Sequence, residues 1–184
     1  MKCIVIYESK YGYTKRYASW IAQQLECELR EKKTVKAEEM ACFDVIIYGG
    51  GLYAGGVSGI SLITKNPALI SEKNVILFTC GLADPSDPEN IEHIRTELKK
   101  VIPSKIEKNL TIFHLRGGID YSRLGFVHKS MMAMLCHMMK KKEIDDLRAE
   151  DREMLRTYGK EVDFVDVKTA QPIVDCARQF DCCL

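Results

Sequence analysis

The hydrophobic positions of the chain fall into short, continuous apolar runs separated by longer stretches with helical spacing. The runs are too short for helices and show no polar alternation, which is typical of strands covered on both faces in a parallel sheet. Strands are therefore predicted at 3–7, 43–48, 74–79 and 110–115, with a weaker candidate at 34–37.

Apolar residues three and four positions apart predict amphipathic helices between and after these runs. The first helix carries Tyr17, Ile21, Leu25 and Leu29 on one stripe. Alternating strands and helices specify a right-handed, doubly wound α/β sheet, in which ligands bind beyond the carboxyl ends of the strands. The predicted helices span 13–30, a short segment ending near 70, 90–101, a Met-rich segment within 121–142, 145–158 as the last helix covering the sheet, and a short segment after Pro172.

Three loops rich in glycine or turn residues follow the predicted strands. Residues 49–59 contain six glycines in eleven positions, which predicts irregular structure rather than a strand or a helix. The second loop, 80–88, contains two prolines, and the third begins at Gly117 and Gly118. All three are expected at the edge of the sheet where a doubly wound fold binds its ligand.

Length and charge narrow the class of protein. A chain of 184 residues suits one self-sufficient domain, so 1–184 is predicted as a single unit with a C-terminal tail at 162–184. The net charge of +1 argues against a general nucleic-acid binder and against a strongly acidic carrier. No nucleic-acid partner is expected.

The N-terminus and the cysteines bear on location and chemistry. Lys2 is followed directly by a predicted strand rather than by a signal sequence, and no apolar stretch approaches the roughly 20 residues of a membrane span, so a cytoplasmic protein is expected. Most of the eight cysteines are expected to be small core residues. Cys176, Cys182 and Cys183 crowd the C-terminus, where a metal or redox role stays open, although no fourth ligand has the spacing of a zinc or iron-sulfur site.

The stretch 121–142 contains five lysines and arginines and no acidic residue. One interpretation is a core-packing helix with a solvated lysine tail, which is favoured because methionines at helical spacing usually lie in a core. The other is an interfacial helix that touches a membrane surface or an apolar partner through its methionines. The apolar stripe consists of Met131, Met134, Leu135, Met138 and Met139.

The first strand runs into a loop, 9–14, that is rich in hydroxyl groups and is followed by the first helix. Gly12 allows a tight turn, and the free N–H groups of the helix point at the same place, so the loop is a candidate phosphate site. An ordinary βα turn is the alternative.

A Walker A loop is excluded because no Gly-Lys-Ser or Gly-Lys-Thr occurs, and the dinucleotide fingerprint fits only weakly, at 49–54. A mononucleotide flavin accounts for three loops. Its phosphate would lie on 9–14, and its flat ring would lie between the loops at 49–59 and 80–87.

Two segments carry a family resemblance. Residues 9–14, Ser-Lys-Tyr-Gly-Tyr-Thr, resemble the flavodoxin phosphate loop, with Tyr11 in place of its middle threonine. Residues 116–139 resemble the basic, Met-rich insert of the menaquinone-dependent protoporphyrinogen dehydrogenase branch of that family, and 116–142 is called the insert below. The resemblance covers at least residues 1–155. It implies a flavodoxin-like, five-stranded parallel sheet in the order 2-1-3-4-5, with the insert after the last strand.

The resemblance also implies a site for noncovalent FMN, in which the protein needs no catalytic side chain. Tyr53 is a candidate for stacking on the flavin. Leu82 stands where many flavodoxins place an aromatic residue, so Tyr121 of the insert is the alternative for the second face. The implied phosphate contacts are Ser9, Lys10, Tyr11, Gly12, Tyr13 and Thr14, and the implied ring contacts are Gly50, Gly51, Leu52, Tyr53, Ala54, Gly55, Cys80, Gly81, Leu82 and Asp84.

Three functions remain open at this point. The first is an FMN electron-transfer protein that serves a redox partner protein. The second is a quinone-dependent enzyme that oxidises protoporphyrinogen or a related substrate, with the insert binding substrate carboxylates or, through 123–142, the inner face of a membrane. The third is a non-redox interaction domain on the same fold, since a fold does not determine a function.

Overall fold

The computed structural model describes residues 2–53, 56–143 and 147–180. Its strands alternate with helices over most of the chain, as the hydrophobic pattern predicts. The strands are β1 (Cys3–Glu8), β2 (Glu28–Glu31), β3 (Val45–Tyr53), β4 (Gly56–Val57), β5 (Asn74–Gly81), β6 (Leu110–Arg116), β7 (Gly118–Asp120) and β8 (Glu161–Asp163). The α-helices are α1 (Tyr13–Leu25), α2 (Ser61–Thr64), α3 (Pro67–Ile70), α4 (Pro88–Lys99), α5 (Ser104–Glu107), α6 (Phe126–Met139), α7 (Ala149–Thr157) and α8 (Gln171–Gln179).

The main sheet has its parallel strands in the order β2-β1-β3-β5-β6. Numbered among themselves, these five strands have the order 2-1-3-4-5, so the predicted doubly wound α/β fold is confirmed. β4 adds a short antiparallel pair to the end of β3. A separate two-stranded antiparallel sheet joins β7 to β8.

Two apolar layers cover the sheet, one on each face. Along β1, Ile4 and Ile6 point into one layer and Val5 points into the other. Because successive side chains of a strand point to opposite faces and both faces are buried, the strand appears in the sequence as a continuous apolar run. Helices α1 and α8 cover the face of Val5. Buried residues of α2 to α5 and of the segment before β3 cover the opposite face.

The first helix is shorter than predicted, and the second strand lies elsewhere. α1 ends at Leu25 because Glu26 adopts a left-handed conformation with φ 50°, and the Cys27 N–H closes the turn on the Ala22 carbonyl at 3.1 Å. The chain then forms β2, which pairs with β1. Leu29 therefore packs on the core as a strand residue rather than a helix residue. The second strand lies at 28–31, so the predicted strand at 34–37 is wrong. Its first residue, Thr34, instead ends a 3-10 turn.

The prediction of irregular structure throughout 49–59 is also wrong, because β3 continues to Tyr53. Gly49 lies beside Phe78 of β5, and a Cβ at Gly49 would overlap the Phe78 ring. A Cβ at Gly50 would likewise overlap Val57. These glycines therefore provide close approach inside a sheet rather than a loose loop.

The insert forms β7 and the amphipathic helix α6. Cys136 and Met139 of α6 are buried, but Met134 and Met138 are exposed, and Phe126 and Val127 at its start are 87% and 75% exposed. The core-packing interpretation is therefore wrong for half of this helix. α6 lies against α7 rather than flat on the sheet, so only one side of it is covered.

The last helix on the sheet is α8 rather than the predicted helix at 145–158. That predicted helix is observed as α7, which packs against α4 and α6, and residues 144–146 lie outside the described ranges. α8 confirms the short helix expected near Pro172, whose missing N–H is harmless in a first turn. Within the described ranges, no helix is long and apolar enough to cross a bilayer.

The replacement Gly49→Ala tests the close approach in β3. The added methyl group would overlap the Phe78 ring, so we expect a loss of about 1–3 kcal/mol in the free energy of unfolding. Gly56→Ala is the matched control, because Gly56 is also a strand residue and a Cβ there would meet the Tyr53 carbonyl at an ordinary distance of 3.8 Å; it should change stability by less than about 0.5 kcal/mol. Urea unfolding measures both, and equal effects would contradict the packing described.

Candidate functional site

The carboxyl ends of the central strands meet at one edge of the sheet. The register pairs Glu8 with Gly50, Gly51 with Cys80 and Gly81 with Arg116. The loops that leave β1, β3, β5 and β6 therefore start side by side. The strand order reverses at β1, because β2 is added on one side of it and β3 on the other. Such a switch point forms the crevice in which doubly wound folds bind ligands.

The loop at 9–14 leads directly into the N-terminus of α1. Gly12 caps the helix with φ 97°, and its N–H donates to the Ser9 hydroxyl at 3.1 Å. The first turn contains no acidic residue and, in the described part of the chain, no side chain caps it. Its N–H groups and the positive end of the helix dipole are thus available to an anion.

Tyr11 brings a polar atom without a partner into this loop. Its hydroxyl is buried and has no hydrogen-bond partner among the residues described. Its ring meets Tyr53 edge-on, with 6.2 Å between ring centroids. Burial raises the pKa of Tyr11, which keeps the hydroxyl protonated and able to donate a hydrogen bond.

Thr14 connects the phosphate loop to the end of β5. Its side chain is only 3% exposed and is hydrogen-bonded to the Cys80 thiol. Burial raises the pKa of Cys80 to about 12, so this thiol is neutral. A Cβ at Gly117 would meet the Cys80 sulfur at 2.8 Å, so the start of the insert also closes on this residue. Cys80 of β5 therefore contacts both the phosphate loop, through Thr14, and the insert, at Gly117.

Tyr53 folds back over the end of β3. A Cβ at Gly51 would meet the Tyr53 ring at 2.7 Å, and the Tyr53 hydroxyl is hydrogen-bonded to the Lys10 backbone. Burial raises the pKa of Tyr53 to about 12, although part of the residue remains exposed. Leu52 lies against Gly81 in the same way. The predicted residues Ala54 and Gly55 lie outside the described residues.

Both carboxylate oxygens of Asp84 have partners within the protein. Its Oδ1 accepts hydrogen bonds from the Ser86 N–H at 2.9 Å and the Ser86 hydroxyl at 2.7 Å, and its Oδ2 lies 2.8 Å from Arg116 Nη1. The Ser86 hydrogen bonds first, and then Arg116, hold the pKa of Asp84 below its usual value. Asp84 thus shapes the loop after β5, and its contact with a ligand stays a prediction.

Arg116 is a residue that the sequence pattern did not single out as functional. Its Nη2 donates to Glu153 Oε1 of α7 at 2.9 Å, and its guanidinium lies 3.9 Å from the centroid of the Phe164 ring. Together with Asp84, these contacts join the end of β6 to the loop after β5 and to α7. Its position at the end of the last main strand, before two glycines, is the only sequence signal for this role.

The insert also reaches the phosphate loop. Lys10 Nζ lies 3.1 Å from His128 Nδ1 of α6, and Arg16 of α1 forms an ion pair with Asp163 of β8. A Cβ at Gly118 of β7 would meet the Tyr13 ring at 2.9 Å. The insert therefore contacts the loop at 9–14, and β8 contacts the helix that follows this loop. Sequence reasoning missed these contacts because the pairs are far apart along the chain.

Tyr121 lies inside the insert. It is 8% exposed, and its ring meets Tyr158 with 5.2 Å between centroids. Burial raises the pKa of Tyr121 to about 12. Its role at the second face of a flavin stays a prediction. The Leu82 backbone carbonyl accepts a hydrogen bond from Arg116 Nε at 3.5 Å.

The C-terminal cysteines do not gather into a described metal site. Cys176 is half-buried and its thiol is hydrogen-bonded to Thr111, while Cys182 and Cys183 lie outside the described residues. Among the residues that the structure describes, no group of three or more His, Cys, Asp or Glu side chains could hold a metal ion.

Comparison with known families identifies the fold. A family model described as a flavodoxin domain matches residues 4–146. The chain belongs to the flavodoxin domain family. Membership supports FMN as the cofactor, and the residues at 9–14 fit its phosphate: a left-handed glycine, an uncapped helix N-terminus and an unpartnered hydroxyl donor. The search of curated proteins found no match to this chain.

Several solved structures are similar to this chain at low sequence identity. A flavodoxin from the domain Archaea is 18% identical and has a TM-score of 0.44, covering 63% of this chain and 83% of that chain. Flavodoxin 2 from Bacillus cereus is 21% identical, with a TM-score of 0.42 and 63% and 86% coverage. A flavoprotein in complex with FMN from Lactobacillus acidophilus NCFM is 13% identical, with a TM-score of 0.40 and 62% and 91% coverage. The family assignment rests on the family model rather than on these distant likenesses.

Tyr11→Phe tests the phosphate loop. The lost hydroxyl has no hydrogen-bond partner within 2–53, 56–143 and 147–180, so without FMN we expect the free energy of unfolding to change by less than about 0.5 kcal/mol. FMN affinity should fall by about 0.5–1.5 kcal/mol because one hydrogen bond to the cofactor is lost. Fluorescence titration measures the affinity, and an unchanged value would contradict the assignment.

Tyr48→Phe provides the contrast for stability. Its hydroxyl donates to the Ser58 carbonyl at 2.8 Å, so its removal should cost about 0.5–1.5 kcal/mol of folding free energy. A similar loss of stability in Tyr11→Phe would show that the Tyr11 hydroxyl has a partner within the protein.

Proposed function

We propose that this flavodoxin-domain protein holds FMN noncovalently at the carboxyl edge of its sheet and transfers electrons between a redox partner protein or quinone and a second partner. The observation that carries the proposal is the anion site at the start of α1, where Gly12, the uncapped first turn and the Tyr11 hydroxyl come together. FMN supplies the redox chemistry when it is bound, and the protein controls its environment and access.

The side chains around this edge would mainly bind and exclude water. The N-terminus of α1 and the hydroxyls of the loop at 9–14 would hold the phosphate, and Lys10 adds a positive charge beside it. Leu52 and Tyr53 would cover the ring. Tyr53 and Cys80 are neutral at pH 7, because burial raises both pKa values to about 12, so neither places a negative charge against the ring.

Backbone groups would contact the polar edge of the ring. Gly49 and Gly50 are paired with neighbouring strands, and the Gly51 carbonyl accepts from the Ser58 N–H at 2.9 Å. Reorienting a peptide group at these glycines would break sheet hydrogen bonds. The sheet therefore holds the peptide groups of Gly49, Gly50 and Gly51 in one orientation.

The direct test is to bind FMN to the purified protein and to cycle it with a flavin reductase and a one-electron acceptor. We expect FMN to bind at one site and to be reduced and reoxidised while bound. Tyr53→Ala should weaken FMN binding by about 1–3 kcal/mol if the ring stacks, and Tyr121→Ala tests the second face in the same way. A colourless protein that takes up no added FMN would contradict the proposal and favour a non-redox interaction domain.

A second candidate is a quinone-dependent oxidation of protoporphyrinogen or a related substrate. The resemblance of the insert supports it, and so does the exposed apolar start of α6. Phe126 and Val127 stand in solvent beside Arg123 and Lys129, which combines apolar area with positive charge. That combination suits either the carboxylates of a reduced tetrapyrrole or an anionic membrane surface from which a quinone is drawn. The Lys10–His128 contact would join this surface to the phosphate loop.

The double variant Phe126→Ser with Val127→Ser tests this candidate. Both side chains are exposed, so folding and FMN binding should be unchanged, whereas binding to anionic vesicles should fall about tenfold or more because two apolar side chains no longer insert. Quinone-dependent turnover of protoporphyrinogen on vesicles should fall with it. Val101→Ser is the matched control, since Val101 is also exposed but lies outside the insert.

The outcomes separate the two candidates. Turnover that is lost in the double variant and kept in the control supports the dehydrogenase and the peripheral membrane contact through 123–142. A wild-type protein that binds and cycles FMN without turning over protoporphyrinogen refutes the second candidate and leaves the first intact.

A further inference from the structure

A second group of reactive side chains lies at the opposite edge of the sheet, where β1 and β2 begin. Cys3 is the first residue of β1, and Cys27 immediately precedes β2. The register pairs Ile4 with Glu28, so the two cysteines stand side by side on neighbouring parallel strands. Neighbouring strands are about 5 Å apart, which falls within the range of about 4.4–6.8 Å between the Cα atoms of a disulfide.

The backbone holds both cysteines in place. Cys27 follows the left-handed residue Glu26, and its N–H is bonded to the Ala22 carbonyl at 3.1 Å. Cys3 is paired with Val45 of β3 on its other side. Backbone hydrogen bonds and strand pairing therefore hold the chain on both sides of the pair.

The two thiols are unequal. They share a hydrogen bond, which lowers the pKa of Cys27 and raises that of Cys3. Cys27 is therefore the thiol that loses its proton first, while Cys3 keeps its proton and donates it to the neighbouring sulfur. A thiolate, rather than a thiol, is the species that attacks a disulfide.

Both cysteines line an open cleft of about 680 Å³. This volume lies within the range of about 300–1,000 Å³ that is typical of small-molecule sites. Lys2 and Arg178 line it with positive charge, and Glu26 and Glu28 line it with negative charge. Charges of both signs suit a small peptide, which carries an amino group and carboxylates.

We propose that Cys27 and Cys3 form a thiol–disulfide exchange site for small peptide disulfides. The site is separate from the flavin edge and does not depend on the proposed electron transfer. In the first step the Cys27 thiolate attacks one sulfur of the disulfide, forms a mixed disulfide and releases one peptide thiolate, which takes up a proton.

In the second step Cys3 gives up its proton and attacks the Cys27 sulfur. The bond between Cys27 and the peptide breaks, the second peptide leaves as a thiol, and a Cys3–Cys27 disulfide forms. Two protein thiols are thereby oxidised, one peptide disulfide is reduced to two thiols, and the protons of the protein thiols end on the released peptide.

The test uses the reduced full-length protein and oxidised glutathione as the probe. After acid quenching and alkylation of the remaining thiols, mass spectrometry of proteolytic fragments locates each sulfur bond. We expect a Cys3–Cys27 disulfide in the wild-type protein, a stable mixed disulfide on Cys27 in Cys3→Ser, and neither product in Cys27→Ser. Cys42→Ser is the matched control, because Cys42 is exposed and lines the same cleft; it should behave like the wild type.

The wild-type experiment alone decides the matter if a variant fails to fold. A Cys3–Cys27 bond that forms at least tenfold faster than adducts on Cys42 supports the site. Adducts that form first on Cys42, or an absence of the Cys3–Cys27 bond at equilibrium with glutathione, overturn it. Loss of FMN binding in the same preparation would refute the proposed function without affecting either result.

Discussion

The parallel register of β1, β3, β5 and β6 is the constraint on which the rest of this protein depends. Both faces of the sheet are apolar, so a slip by one residue would still bury hydrophobic side chains but would exchange the two faces. The glycines of β3 prevent such a slip, because only Gly49 leaves room for the Phe78 ring beside it. Once this pairing is set, the carboxyl ends of β1, β3, β5 and β6 must finish together, and the loops that follow them are brought to one edge.

Arg116 then ties the later part of the chain to that edge. It stands at the end of β6 with Asp84 on one side and Glu153 of α7 on the other, and it packs on the Phe164 ring. Glu153 is largely shielded from solvent, so loss of the guanidinium would leave this partly buried carboxylate with the longer contact to Arg156 Nε, at 3.6 Å. The insert is thus attached at its base, while the start of α6 stays in solvent and contacts the phosphate loop through Lys10 and His128.

Local sequence signals predicted the local features of this fold. The apolar runs gave the positions of β1, β3, β5 and β6, and the hydroxyls and glycine at 9–14 marked the start of α1. β2 was missed because Glu-Leu-Arg-Glu at 28–31 is an edge strand with one apolar residue and no continuous run. The extent of β3 was missed because glycine in a strand is explained only by the Phe78 ring and the Val57 side chain across from it.

Contacts between distant segments could not be predicted. β7 and β8 are separated by about forty residues and show no pattern that identifies each as the partner of the other. The same holds for Arg116 with Glu153 and for Lys10 with His128. The side of α6 that is covered depends on where α7 lies, so its methionines looked like core residues in the sequence although several remain in solvent.

Helix α1 connects the two ends of the molecule. It begins at the phosphate loop and ends two residues before Cys27, and its 13 residues span about 20 Å. Its dipole gives these ends opposite polarity, and Arg178 compensates the negative end by donating to the Gln24 carbonyl at 2.9 Å. Sites this far apart with no shared side chains are energetically additive. A substitution that alters binding or reactivity at one end of α1 therefore leaves the free energies of binding and reaction at the other end unchanged.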